Sequence, residues 1–371
     1  MINIQSVKKI IRYIKIYGLF RTLIKVLGRL RPKIKFWIVL KFPFYSTKGK
    51  NVGIVGCGHH AFSSIAYYLS TTTNSKISFA LDIDANASLS LAYAYNAIDM
   101  GDSYDIGKYG VSAPDIVYIS SNHATHTDYA IKFLNMGCDV YIEKPLSISY
   151  QQLNNLDAIV NSSDSNVYAG YNRPHSPSIR TIKRNISDFT APMTLSFFIT
   201  GHFIPDDHWY RDPKEGTRIV ANLSHWIDLS IHVLNWRYKL PEYLDVSISY
   251  SNQNTPSDNI SVVLTSAMND LINMTFTSRS EPFEGVNETI NFQHGNLIAK
   301  IDDFRTTKIW VDSKFKKYRH WPKNNGHKTA VLQPFNKGVK RSWSELKLST
   351  RLMLFIENMV INKNTQKRFK K

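Results

Sequence analysis

Through the first fifty positions apolar residues alternate with lysine and arginine at roughly helical spacing, as in "VKKIIRYIKIYGLFRTLIKVLGRLRPKIKFWIVLKFPF". Interruptions at Gly18, Gly28 and Pro32 predict short basic amphipathic helices. From Asn51 the pattern changes. "NVGIVG" reads as a short apolar strand, "SSIAYYLS" as the start of a helix and "KISFALDID" as a second strand. "DIVYIS", a helix over "HTDYAIKFLNMG" and "DVYIEKP" add a strand–helix–strand unit, and such repetition predicts a parallel sheet covered by helices on both faces. Farther on, "TLSFFIT", "LDVSISY", "NISVVLTSAM", "LINMTFTS" and "TINFQHGNLIAKI" alternate between turn signals and predict a large, mainly antiparallel sheet. Past about residue 345 the chain reads as a helix followed by a basic tail. The expected organisation is a basic leader over 1–48, a first domain over 49–147, a second over 148–345 and a terminal segment over 346–371. No internal repeat and no Pro-, Gly- or Ser-rich tract marks a flexible linker.

A chain of 371 residues is long enough for two domains, each with its own core. Two cysteines, Cys57 and Cys138, supply no disulfide framework, which points to a reducing, cytoplasmic setting. The net charge of +17 suggests a nucleic-acid partner until it is placed along the chain. The first 50 residues carry 13 Lys or Arg and no acid, leaving +4 for the other 321, and the last eleven residues hold five of the remaining basic groups. The charge therefore sits at the ends, outside the expected catalytic body, and the aliphatic richness of the leader argues against nucleic acid. "FWIVL" (36–40) is bracketed by Lys35 and Lys41, too short to span a bilayer, and the leader lacks the uninterrupted run and cleavage site of a signal peptide. Two readings of the leader stay open: peripheral contact with an anionic inner-membrane surface, or packing on the body or on a second subunit.

"GIVGCGHHA" (53–61) places Gly56, Gly58 and Ala61 in a G-x-G-x-x-A pattern between strand and helix. The first glycine permits the turn, the second lets backbone approach a pyrophosphate, and the small third residue lets helix and strand pack. An ordinary tight turn has the same appearance. Asp82 ends the second strand, 24 residues beyond Gly58, where a carboxylate accepts from ribose hydroxyls and repels a 2′-phosphate; Asp84 is the competing candidate. No arginine follows closely, which favours NAD over NADP. In "VYIEKPLS", Lys144 closes a strand at the carboxyl edge of the expected sheet, although a buried strand ending in a Glu–Lys pair reads the same way. "HFIPDDHWYRD" gathers His202, Asp206, Asp207 and His208, but one loop does not establish metal geometry and no metal is expected.

Together these stretches resemble the Gfo/Idh/MocA family of NAD(P)-dependent sugar and polyol oxidoreductases over roughly residues 50 to 340. The carriers are the glycine motif, "SSNHATH" (120–126), "EKP" (143–145), "GYNRPHSP" (170–177) and "HWIDL" (225–229), with "NNGHKTAVLQPF" similar to the family's returning helix. Within the family, "DDHWYRDPKEG" and "RIVANLSHWIDL" look most like the oxidoreductase half of two-domain proteins from bacterial surface-polysaccharide clusters, with the leader resembling the preceding linker. The implied fold is α/β, a Rossmann dinucleotide-binding domain plus an α+β domain whose open sheet pairs with another subunit.

The implied activity is hydride transfer between NAD, less readily NADP, and a secondary hydroxyl of a sugar or sugar nucleotide. Lys144 and His225 would meet at that hydroxyl, the ammonium holding the oxygen and the imidazole moving the proton. The Lys144–Pro145 bond is expected to be cis. Resemblance and position assign cofactor contacts to Gly56, Gly58, His59, His60, Asp82, Ser121, Asn122, His126, Glu143 and Lys144. They assign substrate contacts to Asn172, Arg173, His208, Trp209, Arg211, Asn222 and Asp228, the arginines suiting a carboxylate or phosphate. One departure stands out: where many members carry an aspartate four residues before the histidine, this chain has Ala221. That keeps open a catalytically silent sensor or scaffold of the same fold.

Overall fold

Apolar runs of a few residues that can be buried on both faces form the first sheet of this computed structural model, which describes residues 4–31, 49–237, 239–279 and 285–371. Its strands are β1 (Asn51–Val55), β2 (Lys76–Leu81), β3 (Ile98–Asp99), β4 (Ile116–Ile119), β5 (Asp139–Ile142) and β6 (Val167–Ala169), all parallel in the order β3-β2-β1-β4-β5-β6. That order reverses between β1 and β4, the place where open α/β sheets bind ligands. A π-helical turn (Ala61–Ala66) running into α3 (Tyr67–Thr72), α4 (Ala85–Tyr95), α5 (His126–Asn135) and α6 (Tyr150–Ser162) connects the strands. Ile54, Phe62, Ile65, Leu91, Tyr118 and Tyr141 build the core.

The compact unit around this sheet comprises Leu19–Gly170 and His327–Arg341. It extends past the expected boundary at 147 because β6 pairs with β5 and completes the sheet. The second unit holds the described residues of 1–18, 171–326 and 342–371. It is built on α7 (Pro177–Arg184), α8 (Ser224–Leu234) and a nine-stranded sheet. The strands are β7 (Met193–Thr200), β8 (Tyr243–Tyr250), β9 (Ile260–Ser266), β10 (Leu271–Thr277), β11 (Asn287–His294), β12 (Leu297–Asp302), β13 (Thr306–Val311), β14 (Lys314–Arg319) and β15 (Gln366–Lys370). Only β7 and β10 pair in parallel. Along β7, Met193, Leu195, Phe197 and Ile199 are buried while Thr194, Ser196 and Phe198 face out, the period-two pattern of a half-covered sheet.

Three segments differ from expectation or refine it. In the leader, α1 (Ile4–Tyr17) belongs to the nine-stranded unit, where its Lys15 and Ile16 carbonyls accept from Trp321 Nε1 (2.8 Å) and Lys323 N (2.9 Å). Helix α2 (Leu19–Leu30) belongs to the parallel-sheet unit, with Thr22, Ile24 and Gly28 buried. Pro32 and the apolar stretch over 36–40 lie outside the described residues. The returning segment forms α9 (His327–Val331), whose Val331 carbonyl accepts from the buried Tyr118 hydroxyl at 2.6 Å. Finally, the basic tail is a strand: α10 (Trp343–Ile361) packs on α8 and leads into β15, which pairs with β8 through the seam at Phe369. Among the described residues no helix is long and apolar enough to cross a membrane.

Phe369, 5 % exposed and 5.3 Å from the Phe355 ring, fastens β15 to the body. Phe369→Ala is expected to cost about 3 kcal/mol in urea unfolding followed by circular dichroism. A loss below ~1 kcal/mol would show that backbone pairing alone holds the strand.

Candidate active site

At the exit of β1 the chain turns through Gly56 at φ +81°, and a Cβ there would lie 2.3 Å from Ser121 N and 2.5 Å from the Ser120 carbonyl oxygen. Only glycine fits that approach. At Gly58 the added carbon would meet nothing within 4 Å, so the second glycine presents bare, open backbone. Asp82, just past β2, closes the turn: Oδ2 accepts from Cys57 N (2.5 Å) and Oδ1 from Asp84 N (2.9 Å). Asp84 caps α4 by accepting from Asn86 N and Ala87 N. An open glycine cradle before a helix, with a carboxylate at the end of the next strand, fits the pyrophosphate and ribose of a dinucleotide.

His59 packs under α2, where a Cβ on Gly28 would lie 2.9 Å from its Nδ1. Burial, then the charges of Arg29 and Lys25, pull its pKa down to about 4. His60 turns the other way and meets Glu143 Oε1 at 3.0 Å, an atom that also accepts from the Tyr141 hydroxyl at 3.1 Å. Burial alone would raise the Glu143 carboxyl, but His60, Lys144 and His126 hold it below its usual range. Gly170 makes room for it, since a Cβ there would lie 2.5 Å from Glu143 Oε2. Lys144 follows, half-buried at the carboxyl edge, in a cis bond to Pro145. The glycine turn and the Lys144 edge are thus joined side chain to side chain.

Beside them, Asn122 is exposed at the start of a short turn and the Ser121 hydroxyl accepts from Thr125 Oγ1 at 2.8 Å. His126 requires a correction. It is 1 % exposed, and its two ring nitrogens lie 2.7 Å from the Pro145 carbonyl and 3.0 Å from the Ser121 carbonyl, so it braces the two loops instead of touching a cofactor.

In the nine-stranded unit, a π-helical turn over Ile219–Leu223 leads into α8, and His225 stands half-buried in its first turn. Its ring meets Tyr171 edge-on at 6.0 Å and Trp226 at 5.9 Å. Ala221, one turn earlier, is 1 % exposed. Three expected substrate contacts, Arg173, Asn172 and Asp228, are corrected here because each is buried on an internal partner. Arg173, 4 % exposed, makes a two-pronged pair with Glu288 (2.8 Å on each prong) and stacks over Trp226 at 4.1 Å, while Trp226 Nε1 donates to Glu288 at 2.7 Å. Asn172 is fully buried and donates to the Asn325 carbonyl at 2.7 Å. Asp228 is 1 % exposed and accepts from Ser349 Oγ at 2.9 Å. Arg211 pairs with both oxygens of Asp258, and Asn222 Oδ1 accepts from Arg218 Nε at 2.7 Å. His208 Nδ1 accepts from Tyr210 N at 3.2 Å, while the Trp209 ring is 43 % exposed beside it. Of the expected set, Trp209 remains the most open surface.

Residues that local patterns do not single out complete the framework. Arg218 is 1 % exposed, donates to the His202 carbonyl and lies over the Phe276 ring; burial, opposed by Asp258, pulls its pKa down to about 10. Glu357 of α10 accepts from Thr217 N at 2.8 Å and from the Thr217 hydroxyl, fixing the loop before His225. Its partner is 140 residues away, a separation that leaves no mark in a sequence window.

Two outcomes are expected. Glu288→Gln leaves Arg173 buried without its counter-charge and is expected to cost about 3 kcal/mol in urea unfolding. His59 stays neutral in the fold down to pH about 4, whereas the unfolded chain protonates near 6.5, so folding stability is lost as pH falls through that window. Urea midpoints of His59→Asn should decline less steeply there than those of the parent chain; parallel curves would exclude the residue.

Residues 50–171 match the family model described as "Oxidoreductase family, NAD-binding Rossmann fold" (GFO_IDH_MocA). The chain is similar to an inositol 2-dehydrogenase of Ralstonia nicotianae, with 25 % identity over 191 residues. That match covers 50 % of this chain and 53 % of the relative, so it spans about half the relative's length. Two solved structures share the fold at low identity. A Gfo/Idh/MocA family oxidoreductase from Vibrio cholerae superposes with a TM-score of 0.64 at 18 % identity, covering 85 % of this chain and 99 % of that one. GenD2 from gentamicin A biosynthesis, solved in complex with NAD, gives 0.70 at 16 %, covering 89 % and 99 %. The glycine cradle, the Asp82 carboxylate and the Glu143–Lys144–Pro145 edge all fall inside the segment, residues 50–171, that matches the NAD-binding Rossmann model.

Proposed function

We propose that this chain is a nicotinamide-dependent dehydrogenase that moves hydride between NAD and a secondary hydroxyl of a sugar or sugar nucleotide. The observation that carries the reading is the union, in one rigidly bonded edge, of the bare Gly58 backbone, the Asp82 carboxylate and the Lys144 loop through His60–Glu143. Bound there, a nicotinamide supplies the acceptor for the hydride. Asp82 accepts from the ribose hydroxyls and its charge repels a 2′-phosphate, favouring NAD over NADP. Lys144 donates to the reacting oxygen and stabilises the negative charge that grows on it. His225, neutral, takes the hydroxyl proton as the carbon gives up its hydrogen with the electron pair, and returns that proton in the reverse direction.

Because Arg173 and Arg211 already serve internal carboxylates, an anionic group on the substrate is not their task. Trp209, exposed and amphipathic, suits the face of a sugar ring. The setting that fits these assignments is cytoplasmic synthesis of a bacterial surface polysaccharide, by an oligomer paired through the open face of the nine-stranded sheet. A second reading, a cofactor-binding sensor or scaffold without turnover, draws on the buried Ala221, which offers His225 no carboxylate one turn away.

Purified protein with NAD, screened against UDP- and GDP-sugars by nicotinamide absorbance, separates the two. Turnover is expected with at least one of them, whereas tight NAD binding without turnover on any favours the sensor. On an active substrate, Lys144→Ala and His225→Ala are each expected to lower kcat by about a hundredfold or more. Near-parental rates in either variant remove that residue's role. Asp82→Ala is expected to weaken NAD binding by about tenfold in titration calorimetry while narrowing the preference over NADP.

A further inference from the structure

Helix α2 has two faces with different partners. On one, Ile24 and Gly28 are buried against the helix that follows the glycine turn. Arg21 donates to the Ser63 carbonyl and to Ser64 Oγ and lies 4.7 Å over the Tyr68 ring. Arg31, 3 % exposed, donates to the Ala87 carbonyl (3.1 Å) and Ser90 Oγ (3.0 Å). These bonds make α2 an integral part of the parallel-sheet unit. On the other face Leu19, Leu23 and Leu30 are 52, 48 and 47 % exposed, and Phe20 beside them is 77 % exposed. Positions 19, 23 and 30 recur at i, i+4 and i+11, so the leucines form one stripe along the helix.

A stripe of large apolar side chains held outward by a buried face marks an interaction surface. The charge decides what it meets. Lys25 and Arg29 lie on the same helix, and the first 50 residues carry 13 basic groups with no acid among them. A second copy would bring like charge against like charge, whereas anionic headgroups neutralise it while the leucines enter the acyl boundary. In its own unit α1 repeats the arrangement, with Val7, Ile10 and Ile11 exposed at helical spacing among the exposed Lys8, Arg12 and Lys15.

We propose that α2, through Leu19, Phe20, Leu23 and Leu30 and the cations around them, docks on the interface of a membrane rich in anionic phospholipid and holds the Rossmann unit at that surface.

The test is co-sedimentation of the full chain with vesicles of phosphatidylglycerol and phosphatidylcholine, and with phosphatidylcholine alone. Binding to the mixed vesicles, weakened by salt, is expected, with at least about tenfold less for phosphatidylcholine alone and for the triple variant Leu19→Ser, Leu23→Ser, Leu30→Ser. NAD binding serves as the control that the variant is folded, since the changed residues are exposed. A variant that fails this control is replaced by Lys25→Glu with Arg29→Glu, which keeps the leucines and is expected to lose anionic-vesicle binding to the same extent. The proposal is overturned if the parent chain stays in the supernatant, if neither variant reduces pelleting, or if sedimentation equilibrium shows a dimer that the leucine substitutions dissociate.

Discussion

The backbone of Gly56 runs against the end of β4 more closely than any side chain allows, and the candidate cofactor site depends on that contact. It lets β1 turn at the point where strand order reverses, leaves Gly58 open, and puts Cys57 N within reach of Asp82. It also sets the start of the helix from which His60 reaches Glu143. Each link is short and buried or half-buried, so the cradle for the phosphates and the lysine at the strand end cannot shift independently. Preorganisation of this kind holds the cradle and the strand-end lysine in one fixed geometry.

Charges inside the nine-stranded unit follow a different constraint. A guanidinium at the 4 % exposure of Arg173 is tolerated only with a counter-charge and filled hydrogen bonds, which Glu288 and the face of Trp226 supply. Arg211 and Arg218 share Asp258 for the same reason. These pairs tie β11, α8 and the loop before α8 into one framework, and Glu357 adds the clasp on Thr217. His225 therefore stands on a scaffold whose polar groups are already matched to one another, not to a substrate.

The leader joins the two themes. Its arginines at 21 and 31 are consumed by the parallel-sheet unit, and burial beneath it, reinforced by its arginine at 29 and lysine at 25, depresses His59 beside the glycine turn. The same helix keeps its leucine stripe bare. One twelve-residue element thus contributes to the electrostatics of the cofactor edge and carries an apolar surface outward.

Periodicity alone determined the parallel sheet, the mainly antiparallel second sheet, the glycine turn and the position of Lys144 at a strand end, because each is written within a few neighbouring residues. The resemblance of short motifs placed Arg173, Asn172, Asp228 and His126 in ligand contact, and the tertiary structure buries all four against partners 19 to 153 residues away. A window of sequence shows that a residue is charged or polar; it does not show whether a distant carboxylate or carbonyl will satisfy it. For the same reason the chain end was legible as basic but not as β15, since a strand whose burial rests on one side chain, Phe369, has no periodicity of its own. What only the fold decided is which polar groups the protein spends on itself, and that follows from the high cost of leaving any of them buried and unpaired.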